Sequence, residues 1–481
     1  MRVLFVSSEI YPLAKTGGLA DVSGALPKAL SNLGVDMRLL LPGYPGALAA
    51  AAGKTVVYEI DDFMGAGPMK LVAARTPDTG LPLWLLDCPA LYRRPGTPYQ
   101  DEYGRDWPDN ALRFALLGRV AAWLATEGVV GWRADVLHLN DWHAALGAAY
   151  VRFSSRPAAP VLFTVHNLAF QGLFDASWTA RLGLPPSAWS IDGVEYHGKL
   201  SFVKAGLQYA DAITTGSPSY AREIQAAPLG MGLEGLLFAR RAVLHGILNG
   251  IDTALWDPKR DPALAAPFDA DSLPNKAANK RALQRRFGLR EDDATPLFAV
   301  VSRLTDQKGV DLIAAVAEEL IAAPAQLVVV GTGEPEMEAA FRALAKRHPH
   351  AIGVHIGFDE SLAHLTEAGA DLFLMPSRFE PCGLNQMYSQ RYGTVPIVGA
   401  TGGLLDSVVD CSDATLAEGS ASGFHIRPLD AAGLRSAIAR ALALYRMPQQ
   451  WQRLQRAGMA RDFSWDRAAV EYARLYRRIA S

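Results

Sequence analysis

Lys15-Thr16-Gly17-Gly18-Leu19-Ala20-Asp21-Val22 sets an ammonium group beside two glycines, where a short apolar run gives way to a helical pattern. Glycines there let backbone approach a ligand closely, the helix N-terminus favours an anion, and Lys15 adds positive charge. Alone, such a loop is more often an exposed lysine beside a flexible turn. Val301-Ser302-Arg303-Leu304-Thr305-Asp306-Gln307-Lys308-Gly309 is a second loop of this kind. Two cations at a helix N-terminus suit a diphosphate, the planar guanidinium gripping two oxygens and the ammonium acting as a point charge. The plainer alternative is a solvated basic turn.

A third stretch, Pro376-Ser377-Arg378-Phe379-Glu380-Pro381-Cys382-Gly383-Leu384, holds a carboxylate just ahead of a glycine and a helix. There a side-chain acceptor and backbone amides can grip sugar hydroxyls together; the alternative is a carboxylate serving the helix dipole. His166, in Thr164-Val165-His166-Asn167, follows an apolar run, although a lone histidine is more often structural. Thr401-Gly402-Gly403 offers amides to phosphate or glucose, or is simply a turn.

These loops need a scaffold that brings strand ends together. Short apolar runs at Val3–Val6, Val56–Ile60, Leu83–Leu86, Val136–Leu139, Val161–Val165 and Ala212–Thr215 alternate with helical patterns. That alternation predicts a parallel sheet covered on both faces. A polar, proline-dotted stretch from Asn249 to Pro274 reads as a connection between domains. The alternation then restarts, with strands at Leu297–Val301, Leu327–Val330, Gly353–Ile356, Leu372–Met375 and Val395–Val398. The fold class is therefore α/β: two doubly wound, Rossmann-like domains, whose ligands belong at the carboxyl ends of the strands and in a cleft between the domains. The expected boundaries are 1–243, 244–461 and a C-terminal helix, 462–481, whose apolar stripe needs a burial site.

Composition narrows the function. The 47 Lys+Arg against 49 Asp+Glu give a net charge of −2, which argues against a nucleic-acid partner. Three scattered cysteines, Cys88, Cys382 and Cys411, support neither a disulfide framework nor a structural zinc site and fit a reducing compartment. The N-terminal apolar run is too short for a signal-peptide core, and no stretch approaches the roughly 20 apolar residues of a membrane span. The expected location is the cytoplasm, with no membrane partner.

The motifs, in this order, resemble those of bacterial glycogen synthases, the ADP-glucose-using relatives of plant starch synthases and retaining glycosyltransferases of the GT-B fold. The resemblance runs from the Lys15 loop through His138, Asp141-Trp142-His143, the His166 segment, Asn249-Gly250-Ile251-Asp252 and Ser302–Gly309 to Glu380–Leu384, Thr401–Gly403 and Asp462-Phe463-Ser464-Trp465. It implies transfer of glucose from ADP-glucose to the non-reducing end of an α-1,4-glucan, with release of ADP. Lys15, with Gly17 and Gly18, would contact the donor phosphates, and Arg303 with Lys308 would hold and neutralise the leaving diphosphate. Glu380 would bind glucose hydroxyls, assisted by amides near Cys382, Gly383 and Leu384, and His166 would face the sugar beside the anomeric centre. Asp21, Tyr99, Asp141 and Asn249 match positions lining the cleft, Phe358 an aromatic that stacks on adenine, and Thr401, Gly402 and Gly403 a donor-binding loop.

Fixed cations at the phosphate can do the work of a metal, so neither metal nor cofactor is expected. Asp269-Ala270-Asp271 superficially matches a metal-binding Asp-x-Asp but lies in the polar stretch, as a surface loop would. Retention normally invites a carboxylate nucleophile. None stands out, and the resemblance implies a front-face route in which the leaving phosphate helps deprotonate the acceptor. Two positions depart from related patterns: Tyr388 stands where many retaining GT-B enzymes have a second glutamate, and Asn385 where relatives usually carry threonine. Alternative readings are a UDP-glucose-using transferase, a pyridoxal-phosphate-dependent phosphorylase and an inactive glucan-binding scaffold.

Overall fold

The computed structural model describes residues 1–481. It divides into two compact units, Met1–Gly250 with Trp465–Ser481, and Ile251–Ser464.

The first unit is built on nine strands: β1 (Arg2–Val6), β2 (Asp36–Pro42), β3 (Ala52–Ile60), β4 (Met69–Arg75), β5 (Pro82–Asp87), β6 (Val136–Asn140), β7 (Val161–Val165), β11 (Ala212–Thr215) and β12 (Leu244–Gly246). Three short strands, β8 (Leu173–Asp175), β9 (Glu195–Tyr196) and β10 (Lys199–Ser201), form a separate antiparallel sheet. The large sheet has the order β12-β11-β7-β6-β1-β2-β5-β4-β3. Val3, Leu4, Phe5 and Val6 are fully buried, as expected of a central parallel strand covered on both faces.

The sheet is not wholly parallel, contrary to the sequence expectation. β4 runs antiparallel to both β5 and β3. Only Thr76–Leu81 separates β4 from β5, too short a link for the crossover that parallel pairing needs. Val56–Ile60 belongs to β3, an edge strand that is mostly exposed rather than buried, and its register shifts near Ala52 and Val56 interrupt the free edge. The boundary also moves from 243 to Gly250, because Leu244–Gly246 pairs with β11 and belongs to this sheet.

The C-terminal helix Trp465–Ala480 is part of the first unit and packs against the first helix, Gly18–Asn32. Its Tyr476 is fully buried, with the hydroxyl 2.7 Å from His138 Nδ1 on β6.

In the second unit β13 (Leu297–Val301), β14 (Gln326–Gly331), β15 (Ile352–Ile356), β16 (Leu372–Met375), β17 (Val395–Gly399) and β18 (Phe424–Ile426) form a wholly parallel sheet in the order β15-β14-β13-β16-β17-β18. This is the 3-2-1-4-5-6 Rossmann order, whose switch point falls between β13 and β16. The loops leaving those two strands contain Arg303–Lys308 and Glu380. The proline-dotted stretch is packed rather than loose. Trp256 stacks between His364 and Tyr388 at 3.7 Å from each ring, and Asp261 accepts hydrogen bonds from Tyr392 and His364, each at 2.6 Å. No helix is long and apolar enough to cross a membrane.

Candidate functional site

In the second unit the β13 and β16 loops are laced together residue against residue. Arg378 N–H donates to Gln307 O (2.9 Å), Gln307 Nε2 to Phe379 O (3.3 Å), and Lys308 Nζ to Glu380 Oε2 (2.6 Å). The Arg378 guanidinium serves the scaffold, bonding Asp306 O and both carboxylate oxygens of Asp311. Gly309 makes the approach possible. Its φ is +63°, and a Cβ there would sit 2.1 Å from Pro376 O.

Glu380 is 5% exposed and takes a second hydrogen bond from Ser377 Oγ at 3.0 Å. Its main-chain carbonyl accepts from Gly403 N–H at 3.0 Å. A Cβ on Gly403 would lie 2.4 Å from Cys382 Cα, so glycine is required where the Thr401–Gly403 loop meets the Cys382–Gly383 turn. Lys308, Glu380, Cys382, Gly383, Thr401, Gly402 and Gly403 thus converge at the carboxyl edge of the sheet. Leu384 ends this turn and is half-buried. Arg303 is exposed at the start of the β13 loop, and Phe358 is 74% exposed just beyond β15.

Sequence reasoning missed two braces here. Ser377 holds the Glu380 carboxylate, and Gln386 Nε2 donates to Cys382 O, Gly383 O and Ser407 Oγ. Both departures acquire a structural account. Tyr388 is buried against Trp256, and Asn385 Nδ2 donates to Val301 O, tying its helix to the end of β13. In the Asp-x-Asp, Asp269 caps a turn through Ser272 and pairs with Lys259.

In the first unit the Lys15 loop is organised by Glu9, a residue with no motif signal. Glu9 is 3% exposed and accepts from Thr16 N–H, Thr16 Oγ1, Gly17 N–H and the Tyr99 hydroxyl. The anion at this helix entrance is therefore one of the chain's own carboxylates, and the amides of Thr16 and Gly17 are engaged by it. Lys15 Nζ lies 2.9 Å from Asp21 Oδ1. Gly17 and Gly18 are exposed; Gly17 has an extended φ of −163°, and a Cβ there would meet nothing within 4 Å.

Tyr99 also stacks on His143 with ring centres 4.5 Å apart, two residues from Asp141. Asp141, where β6 turns into the helix Asp141–Arg152, has a left-handed φ of +59°, strained for a side-chain-bearing residue. Burial pushes its carboxyl up to about 7, with the Glu9 charge adding and the Trp142 amide opposing. His166 follows β7, with Nε2 3.1 Å from Asn140 Oδ1, and burial pushes it down to about 4. Asn249 is 6% exposed, and its Oδ1 has no hydrogen-bond partner.

Residues 2–239 match the starch synthase catalytic domain family and residues 283–457 the glycosyl transferases group 1 family. Glycogen synthase 1 of Methylococcus capsulatus is 52% identical over 480 residues, 99% of this chain and 96% of that protein. The glycogen synthase of Dechloromonas aromatica is 54% identical over 479 residues, 99% of this chain and 98% of that one. Among solved structures, the catalytic domain of starch synthase IV from Arabidopsis thaliana, bound to ADP and acarbose, superposes with a TM-score of 0.89 at 32% identity, covering 99% of each chain. Sucrose-phosphate synthase of Thermosynechococcus elongatus, at 18% identity and a TM-score of 0.59, shares the fold.

Proposed function

The chain belongs to the bacterial glycogen synthase family, and from that premise we propose that it transfers glucose from ADP-glucose, with retention, to the non-reducing end of an α-1,4-glucan and releases ADP. It is a glycosyltransferase of the GT-B type. The observation that carries the assignment of roles is the Lys308–Glu380 pair at the Rossmann switch point.

Cleavage of the sugar–phosphate bond puts negative charge on the leaving oxygen and positive character on the anomeric carbon. Lys308 and Arg303 neutralise the leaving diphosphate, and because that charge grows along the reaction they stabilise the transition state more than the ground state. Glu380, whose carboxylate is oriented by Ser377 and Lys308, accepts from glucose hydroxyls. Amides of the Cys382–Leu384 turn and the Thr401–Gly403 loop assist. His166 is neutral at physiological pH and serves as a hydrogen-bonding wall of the sugar site rather than a cation. Lys15, kept close to Asp21, contributes charge to the donor phosphates, Tyr99, Asp141 and Asn249 line the cleft, and Phe358 stacks on the adenine.

With cations already placed, the transfer needs no metal or cofactor. Deprotonation of the acceptor hydroxyl falls to the departing phosphate, on the face the donor leaves. The deciding experiment incubates the protein with labelled ADP-glucose and glycogen in EDTA. Label incorporated through α-1,4 bonds supports the proposal, and incorporation only after adding a divalent metal contradicts the metal-free mechanism. UDP-glucose turning over faster than ADP-glucose would reassign the donor. We also place the protein in the cytoplasm, consistent with three buried free cysteines; its recovery in a membrane or exported fraction would contradict this.

A further inference from the structure

We infer that Asn140 is a positioning residue that holds His166 as its Nε2–H tautomer and so makes Nδ1 a hydrogen-bond acceptor for a hydroxyl of the bound sugar. This deepens the assignment of His166 to the sugar site and rests on it.

Hydrogen-bond polarity along the chain from Val6 to His166 fixes the ring. Asn140 is the last residue of β6 and fully buried. Its Nδ2 lies 3.1 Å from Val6 O, at the end of the adjacent strand β1. A main-chain carbonyl only accepts, so the atom facing it is the amide nitrogen, and the Asn140 side chain has one allowed orientation. Its Oδ1 therefore faces His166 Nε2 at 3.1 Å. An amide oxygen also only accepts, so Nε2 carries the proton and donates. Burial disfavours the imidazolium, which leaves the other ring nitrogen, Nδ1, with a lone pair. The chain Val6 O, Asn140, His166 thus transmits a fixed main-chain polarity from a central strand to the ring. A hydroxyl meeting that nitrogen must donate to it.

The test uses the full-length protein with 15N-labelled histidine, assigning the His166 ring signals by their loss in His166→Gln. Long-range 1H–15N correlation should show the Nε2–H tautomer in the wild type. Asn140→Asp, held neutral by burial, keeps a donor toward Val6 O and an acceptor toward His166, and should keep that tautomer. Asn140→Leu removes the acceptor and should give a mixture of tautomers, with kcat falling about 10- to 100-fold, the size expected for one lost buried hydrogen bond, and little change in donor KM. A wild-type ring protonated on Nδ1, or tautomers unmoved in Asn140→Leu, overturns the inference whatever the activity. Normal tautomers with no glucosyl transfer would instead count against the proposed function.

Discussion

Lys308 Nζ lies 2.6 Å from Glu380 Oε2, so the cation assigned to the leaving phosphate and the carboxylate assigned to the sugar are one ion pair. Both side chains are mostly buried, at 18% and 6% exposed. A diphosphate that reaches Lys308 competes with Glu380 for the ammonium, which couples donor binding to the freedom of the carboxylate.

Breaking this pair from one side should cost stability as well as activity. Lys308→Met leaves the buried Glu380 carboxylate with Ser377 as its remaining side-chain donor, a loss of about 1–3 kcal/mol. Adding Glu380→Gln removes the stranded charge. Denaturation of the double variant should recover most of the loss while glucosyl transfer stays absent; a double variant less stable than Lys308→Met would contradict this.

Two glycines in the motifs should behave oppositely. Gly309→Ala forces a side chain into a left-handed backbone against Pro376 O and should destabilise by more than about 1 kcal/mol. Gly17→Ala meets no protein atom and should leave stability unchanged or slightly raised. Donor KM should nevertheless rise, because the methyl occupies the surface assigned to the donor. Thermal melts paired with donor titrations read both effects.

Tyr388→Glu, which would restore the glutamate of other retaining enzymes, should not create a ribose contact. The position is buried in the Trp256 stack, and a carboxylate placed there costs several kcal/mol. Loss of folded protein is expected, and a folded variant with tightened ADP binding would contradict the structural role.

His143 packs among Tyr99, Trp142 and Phe114, and its Nδ1 has no partner. Burial holds it well below its ordinary 6.5. Below that pH the unfolded chain binds a proton that the folded ring refuses, so this histidine lowers stability as pH falls. His143→Phe keeps the ring packing and removes the titration. Its stability relative to wild type should grow by about 1.4 kcal/mol per pH unit below 6.5. Urea unfolding at pH 7, 6 and 5 checks this, and a pH-independent difference would contradict it.

Much of this arrangement was legible in the sequence because strands and glycine loops are local signals. Leu297–Val301 read directly as a strand, and the Rossmann order then brings the loop after it to Glu380. What stayed hidden depends on partners distant in sequence. Nothing around Glu9 announces that it fastens Thr16, Gly17 and Tyr99, and nothing in Asn140 announces a bond to Val6 O. The antiparallel edge was hidden because pairing direction follows from link length rather than from the apolar run itself. Trp256 looked like part of a connector because its two stacking partners, His364 and Tyr388, lie more than a hundred residues onward.

The most direct measurement is turnover at saturating ADP-glucose and glycogen, in EDTA, for the wild type, Arg303→Ala and Lys308→Ala. Wild-type activity with each variant reduced by about 10²–10³, as for loss of one preorganised charge-stabilising group, is the predicted result. Near-wild-type turnover in correctly folded variants would contradict the assignment of these cations to the leaving diphosphate.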